Sequence, residues 1–222
     1  MWNPYQACVV SISFLALCHG DALCQDLSRK NLPGSQAQAC GPVVDRALKC
    51  PRFEFTYKVP FGWVDRTADI RNKDADEGTP SESSAKPGEQ NSARSETLLA
   101  IFERPPGAPG ETIDAAVVIA AEPLKNYPRV KTASDYFGPI GELAEQRGFK
   151  SEEDPHQFGV GAKQLAREDF NKQRGKLTMR QSSLVMIEKG YIVSFMFVTG
   201  DEDQAEELIG NLRFTAKVSP KK

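Results

Sequence analysis

Between Lys176 and Thr199 the sequence leaves the chain little choice but an antiparallel hairpin. Tyr191 to Thr199 (YIVSFMFVT) is apolar at nearly every position and rich in β-branched and aromatic residues, the composition of a strand buried on both faces. Lys189-Gly190 supplies a two-residue turn back to Lys176–Glu188. Upstream, Gln164 to Phe170 reads as a further strand, joined through a turn at Asn171 to Gly175. Apolar at nearly every position, the Tyr191–Thr199 strand should lie mid-sheet.

The rest of the chain supplies further strands and helices. Phe53, Phe55, Tyr57 and Val59 alternate with Glu54, Thr56 and Lys58, a strand with one buried face. Pro60-Phe61-Gly62 turns the chain before Trp63-Val64. Leu98–Glu103 and Ala115–Ala121 read as two more strands, the second (AAVVIAA) apolar on both sides. Tyr136, Phe137, Ile140, Leu143 and Ala144 recur at helical spacing within Ala133–Arg147, with Thr132 or Ser134 as cap and Gly148 at the far end. Gly138, Pro139 and Gly141 weaken its start, and a beginning near Pro139 fits as well. Lys150 to Gly161 is expected as a loop. Asp201 caps a final helix through Gln204, Ala205, Leu208 and Ile209, and Leu212–Phe214 adds a terminal strand. Residues 217–222 form a Lys-rich tail.

Ala68–Glu96 reads differently. Asp, Glu, Ser, Gly, Pro, Lys and Asn dominate it, and Ile70 is its one large aliphatic side chain. Such a stretch cannot bury enough apolar surface to offset its ordering entropy, so a mobile loop inside the domain is expected. Asp74, Asp76 and Glu77 lack the regular ligand spacing of a calcium loop.

The N-terminus carries an address. Ala7–Cys18 (ACVVSISFLALC) contains no charge and is too short to cross a bilayer, which fits the apolar core of a signal peptide spanning 1–24. Ala22-Leu23-Cys24 places the cut before Gln25, although Met1–Gln6 has no Lys or Arg. Lipid attachment at Cys18 or Cys24 is the rival reading, opposed by the bulk of Leu17 and Leu23. Residues 25–51 read as a leader holding a short helix from Pro42 to Leu48, with Val43, Val44, Ala47 and Leu48 on one face. After removal of 1–24 only Cys40 and Cys50 remain, and an oxidising compartment favours a disulfide between them over a metal site without histidine. A secreted or periplasmic product is expected, with no transmembrane segment in the mature chain.

Three stretches together, the opening strand and turn FEFTYKVPFGW (53–63), the long central hairpin, and the closing EDQAEELIGNLRF (202–214), resemble the PsbP-like family, whose namesake is the extrinsic subunit of photosystem II. The resemblance spans Phe53 to Phe214, within a domain of residues 52–216. It implies an α+β fold, an antiparallel β-sheet with helices on both faces (an α/β/α sandwich). It also implies a protein-binding or assembly role without catalytic residues. Nothing in the N-terminus matches chloroplast targeting, so no photosynthetic role is carried over.

The residues themselves point away from common chemistries. With 28 basic and 30 acidic residues mixed along 222, no basic stripe stands out in sequence to track a nucleic acid. His156 is the only histidine outside the signal, in a polar EEDPHQFG stretch, and no GxSxG is present. Glu168 and Asp169 fall on opposite faces of a strand, and Glu142 and Glu145 suit the wet side of a helix. Gly159-Val160-Gly161 precedes a strand and lacks a Lys-Ser/Thr pair, so no phosphate cradle forms. No catalytic residue, metal or cofactor is expected. Trp63, Tyr127 and Arg129 are residue types enriched at interfaces and sit in or beside loops, and an unidentified protein partner is the expectation they support. The plainer reading makes Trp63 a core residue and Tyr127 and Arg129 scattered surface residues. Two rival functions remain: a carrier of a small apolar ligand lined by Phe195, Phe197, Tyr136 and Phe137, and a hydrolase with an unrecognised carboxylate pair.

Overall fold

The structure, a computed structural model, describes residues 40–77 and 95–215. The chain opens with β1 (Val43–Val44), β2 (Ala47–Cys50), β3 (Phe55–Lys58) and β4 (Val64–Asp65), followed by helix α1 (Thr67–Glu77). Strands β5 (Glu96–Phe102) and β6 (Ala116–Pro123) lead through two short 3-10 turns to helix α2 (Phe137–Gln146). Then come β7 (Lys150–Ser151), β8 (His156–Val160), β9 (Lys163–Arg174), β10 (Leu177–Glu188) and β11 (Tyr191–Thr199). Helix α3 (Glu202–Ile209) and β12 (Leu212–Phe214) finish the described chain.

The strands form two antiparallel sheets. The larger runs β4-β5-β6-β11-β10-β9-β7, with β8 also on β9, and β11 sits at its middle, as its largely apolar sequence predicts. The smaller runs β1-β2-β3-β12. Alternation along the strands sends side chains to two separate cores. On one face Ile101, Val117, Ile119, Val193, Phe195 and Phe197 meet Leu48, Phe55, Tyr57 and Leu212 of the small sheet and Leu208 and Ile209 of α3. On the other, Ala166, Phe170, Val185 and Ile192 lie under Tyr136, Phe137, Ala144 and Phe149 of the α2 segment. The fold is thus α+β, with a central antiparallel sheet and a helix on each face.

Several local expectations change. The predicted helix at Pro42–Leu48 is the β1–β2 hairpin, with Asp45 and Arg46 both at positive φ (50° and 57°) in its turn. The same apolar spacing that suggests a helix also sets Val43 opposite Leu48 on the inner side of a hairpin. Beside it Cys40 and Cys50 form the expected disulfide. The opening strand joins this separate small sheet instead of extending the large one.

The loop expected over 68–96 begins as helix α1, while residues 78–94 lie outside those described. Composition loses there to capping. The Asp65 carboxylate accepts from the Thr67 amide (2.9 Å) and hydroxyl (2.6 Å), and the Ala100 amide donates to Thr67 Oγ1 (2.9 Å). The expected loop at 150–161 contains β7 and β8, both paired to β9, and β9 itself continues through the predicted turn to Arg174.

Candidate functional site

The loop after β6 and the start of α2 face each other across a groove of about 480 Å³. One wall is Asn126, Tyr127, Pro128, Arg129 and Val130; the other is Asp135, Gly138, Pro139 and Glu142. Two of the three predicted contact residues, Tyr127 and Arg129, therefore share one site. Trp63 does not line it; its half-buried ring packs against the core between the sheets.

The walls are fixed from the sheet outward. The Leu124 amide donates to Gly190 O (3.0 Å), tying the loop to the β10–β11 turn. Tyr127 and Val130 close successive turns by donating to Leu124 O and Tyr127 O, each at 3.0 Å. Across the groove the Asp135 carboxylate accepts from the Lys131 (2.8 Å) and Thr132 (2.7 Å) amides, which satisfies donors at the head of the helical segment. Those two amides, Thr132 first, hold the Asp135 carboxyl below its ordinary range.

Behind the groove lies a polar cluster that the sequence reading missed. Glu122, at the end of β6, accepts hydrogen bonds from the hydroxyls of both Tyr127 and Tyr136, and Ser95 Oγ donates to it at 3.2 Å. The two tyrosine rings meet edge to face at 5.0 Å. Burial, then the bond to Glu122, raises both phenols above their ordinary range, so they stay neutral donors. The one available signal was an acid closing an otherwise apolar strand (AVVIAAEP). Tyr127 is thereby locked from behind while its exposed side faces the groove. Arg129 is exposed and forms no ion pair among the described residues. A rigid aromatic ring beside an unpaired guanidinium can make contacts at low entropy cost.

The remaining chemical candidates are spent on structure. Arg167 is buried, pairs with Asp169 (2.8 Å) and Glu206 (2.6 Å), and stacks on Phe158 at 4.8 Å. Glu152 receives Arg180 and Asn171, each at 2.8 Å. Glu152, Asp169 and Glu202 border a cleft of only about 30 Å³ with both arginines. Glu168 points to the opposite face from Asp169 and takes a bond from Ser151 Oγ (2.7 Å). Burial raises its pKa, helped by the charges of Asp154 and Asp169. His156 lies on β8, not in a loop, and its Nδ1 is 3.3 Å from Glu153 on the surface. The aromatics expected to line one apolar pocket divide between faces: Phe195 and Phe197 fill one core, Tyr136 and Phe137 the other. Among the described residues no group of His, Cys, Asp and Glu could hold a metal ion, and no helix is long and apolar enough to cross a membrane.

No family model matches the chain, and no curated protein does. Among solved structures it is similar to the PsbP of the cyanobacterium Synechocystis, at 10% identity and a TM-score of 0.45, covering 83% of this chain and 98% of that one. It is also similar to LpqN of Mycobacterium tuberculosis, described as involved in cell envelope biogenesis (14% identity, 73% and 83% covered, TM-score 0.36). A third is the yeast Ran-binding protein Mog1p of Saccharomyces cerevisiae (9% identity, 71% and 78% covered, TM-score 0.36). Likeness at these levels assigns neither family nor function.

Proposed function

We propose that this chain is an exported, non-catalytic binding module that acts by contact with another protein through the Tyr127–Arg129 groove. The observation that carries the reading is the pre-set Tyr127 ring: its hydroxyl is held by Glu122 and its ring meets that of Tyr136 edge to face, so binding need not immobilise it. Arg129 on the same wall supplies a planar donor for a partner's carboxylate or carbonyl. The uncharged 7–18 segment and the Cys40–Cys50 bridge support a secreted or periplasmic setting.

Affinity capture from the native envelope fraction, with wild-type chain and a Tyr127→Ala/Arg129→Glu double variant side by side, tests this. A partner recovered by the wild type should be lost with the variant, since anchor residues of these types cost about 30-fold each, roughly 2 kcal/mol. Recovery of no protein, or of the same proteins by both chains, refutes the reading.

A further inference from the structure

The outer face of the small sheet gathers cations that are scattered in sequence. Inner positions Leu48, Tyr57 and Leu212 are paired across β2, β3 and β12, so the residues between them point outward. One outward row is Lys49–Thr56–Arg213, and the next is Val44–Ala47–Lys58. Lys49, Lys58 and Arg213 are exposed, no acidic residue stands in either row, and no ion pair links any of the three to a described residue. Glu54, just before β3, is already paired with Lys189 at 3.3 Å. In a chain of net charge -2 this is a pronounced local asymmetry.

The most exposed large apolar side chains of the described residues stand at the end of this face. Phe61 is 87% exposed on the turn after β3, and Val44 is 57% exposed beside the β1–β2 turn. Arg46 from that turn lies 5.8 Å from the Phe61 ring centre. We infer that this basic sheet face, with Phe61 and Val44 at its rim, docks the protein on an anionic lipid surface. Lysines at the centre of a patch suit phosphate headgroups, whereas the centres of protein interfaces are depleted in Lys. A projecting aromatic flanked by cations suits the headgroup boundary, where its apolar body leaves water and its neighbours keep their charge partners. Arg46 already stands over one face of the Phe61 ring, which disfavours base stacking by a nucleic acid.

Co-sedimentation of the full chain with phosphatidylcholine vesicles, with and without phosphatidylglycerol, tests the inference. The readout is the ratio of the two affinities, because the apolar 7–18 segment contributes to both and cancels. Binding should favour the anionic vesicles and weaken with added salt. The triple variant Lys49→Gln, Lys58→Gln, Arg213→Gln should lower that preference about a hundredfold, near fivefold per cation. Phe61→Ala should lower anionic-vesicle binding about tenfold. All four positions are exposed, and unchanged thermal melts confirm that folding is intact. Equal binding to both vesicle types, or a preference untouched by the triple variant, overturns the inference. So does retention on DNA or on an acidic protein without vesicle binding. The outcome is independent of the Tyr127–Arg129 groove, whose double variant should bind vesicles as the wild type does.

Discussion

Glu122 shows how much one side chain can organise. Two phenols and a serine hydroxyl converge on its carboxylate, so Glu122→Ala strands donors in a partly buried site. The expected loss is about 1–3 kcal/mol in urea unfolding, with Glu122→Gln recovering part of it because one acceptor oxygen remains. Because the folded-state pKa of both Tyr127 and Tyr136 lies above the ordinary 10.0, the stability they contribute is complete below that value and is lost as pH climbs past it. Tyr136→Phe should therefore flatten the alkaline fall in stability, read as urea midpoints across the range above about pH 10. Glu168 carries the same sign in the acid range. Its raised pKa means that its contribution is present below the ordinary 4.5 and is lost as pH rises through the folded value. Glu168→Gln, which keeps an acceptor for Ser151, should raise stability at neutral pH and leave it unchanged in acid; a neutral-pH loss would show that the carboxylate itself is needed.

At the scale of elements, the β1–β2 hairpin is the part most dependent on its staple. Its strands are two and four residues long, too little pairing to hold a turn with two left-handed non-glycine residues. The Cys40–Cys50 bridge spans a separation of 10, and by loop-closure entropy its reduction should cost about 2–3 kcal/mol. Urea unfolding with and without reductant measures this, and a Cys40→Ser/Cys50→Ser variant should match the reduced protein. These short elements are also where sequence reading fell short. Long periodic segments, β10, β11 and the Asp201-capped α3, were legible because alternation and capping act locally. The hairpin was not, since Val43, Val44, Ala47 and Leu48 satisfy either period over so short a span. Helix α1 was missed because its start is secured by Ala100, far along the chain. The groove was half legible: Tyr127 and Arg129 are visible as residue types, but Pro139 and Glu142 join them only once α2 packs on the sheet. The basic face was invisible in sequence, because Lys49, Lys58 and Arg213 become neighbours only through strand pairing.

On the scale of the molecule, the small sheet is not a separate unit, because its inner side chains complete one face of the large one. Phe55 meets Phe195 at 5.2 Å and Phe214 at 6.3 Å, bringing residues from both ends of the described chain onto its central strand. Tyr57 donates its buried hydroxyl to Leu208 O at 3.1 Å, linking the same sheet to α3. Neither sheet can open without exposing the other's core, which predicts one cooperative transition. Trp63, packed against the core between the sheets, reports on their junction by fluorescence, while far-UV circular dichroism follows the strands as a whole. The two probes should give coincident urea midpoints. Phe195→Ala removes the ring at the centre of the aromatic contact and should cost about 3–5 kcal/mol, moving both midpoints together. If the fluorescence transition moved alone, the small sheet would be an independently melting layer, and the shared core would not be what holds β1, β2, β3 and β12 in place.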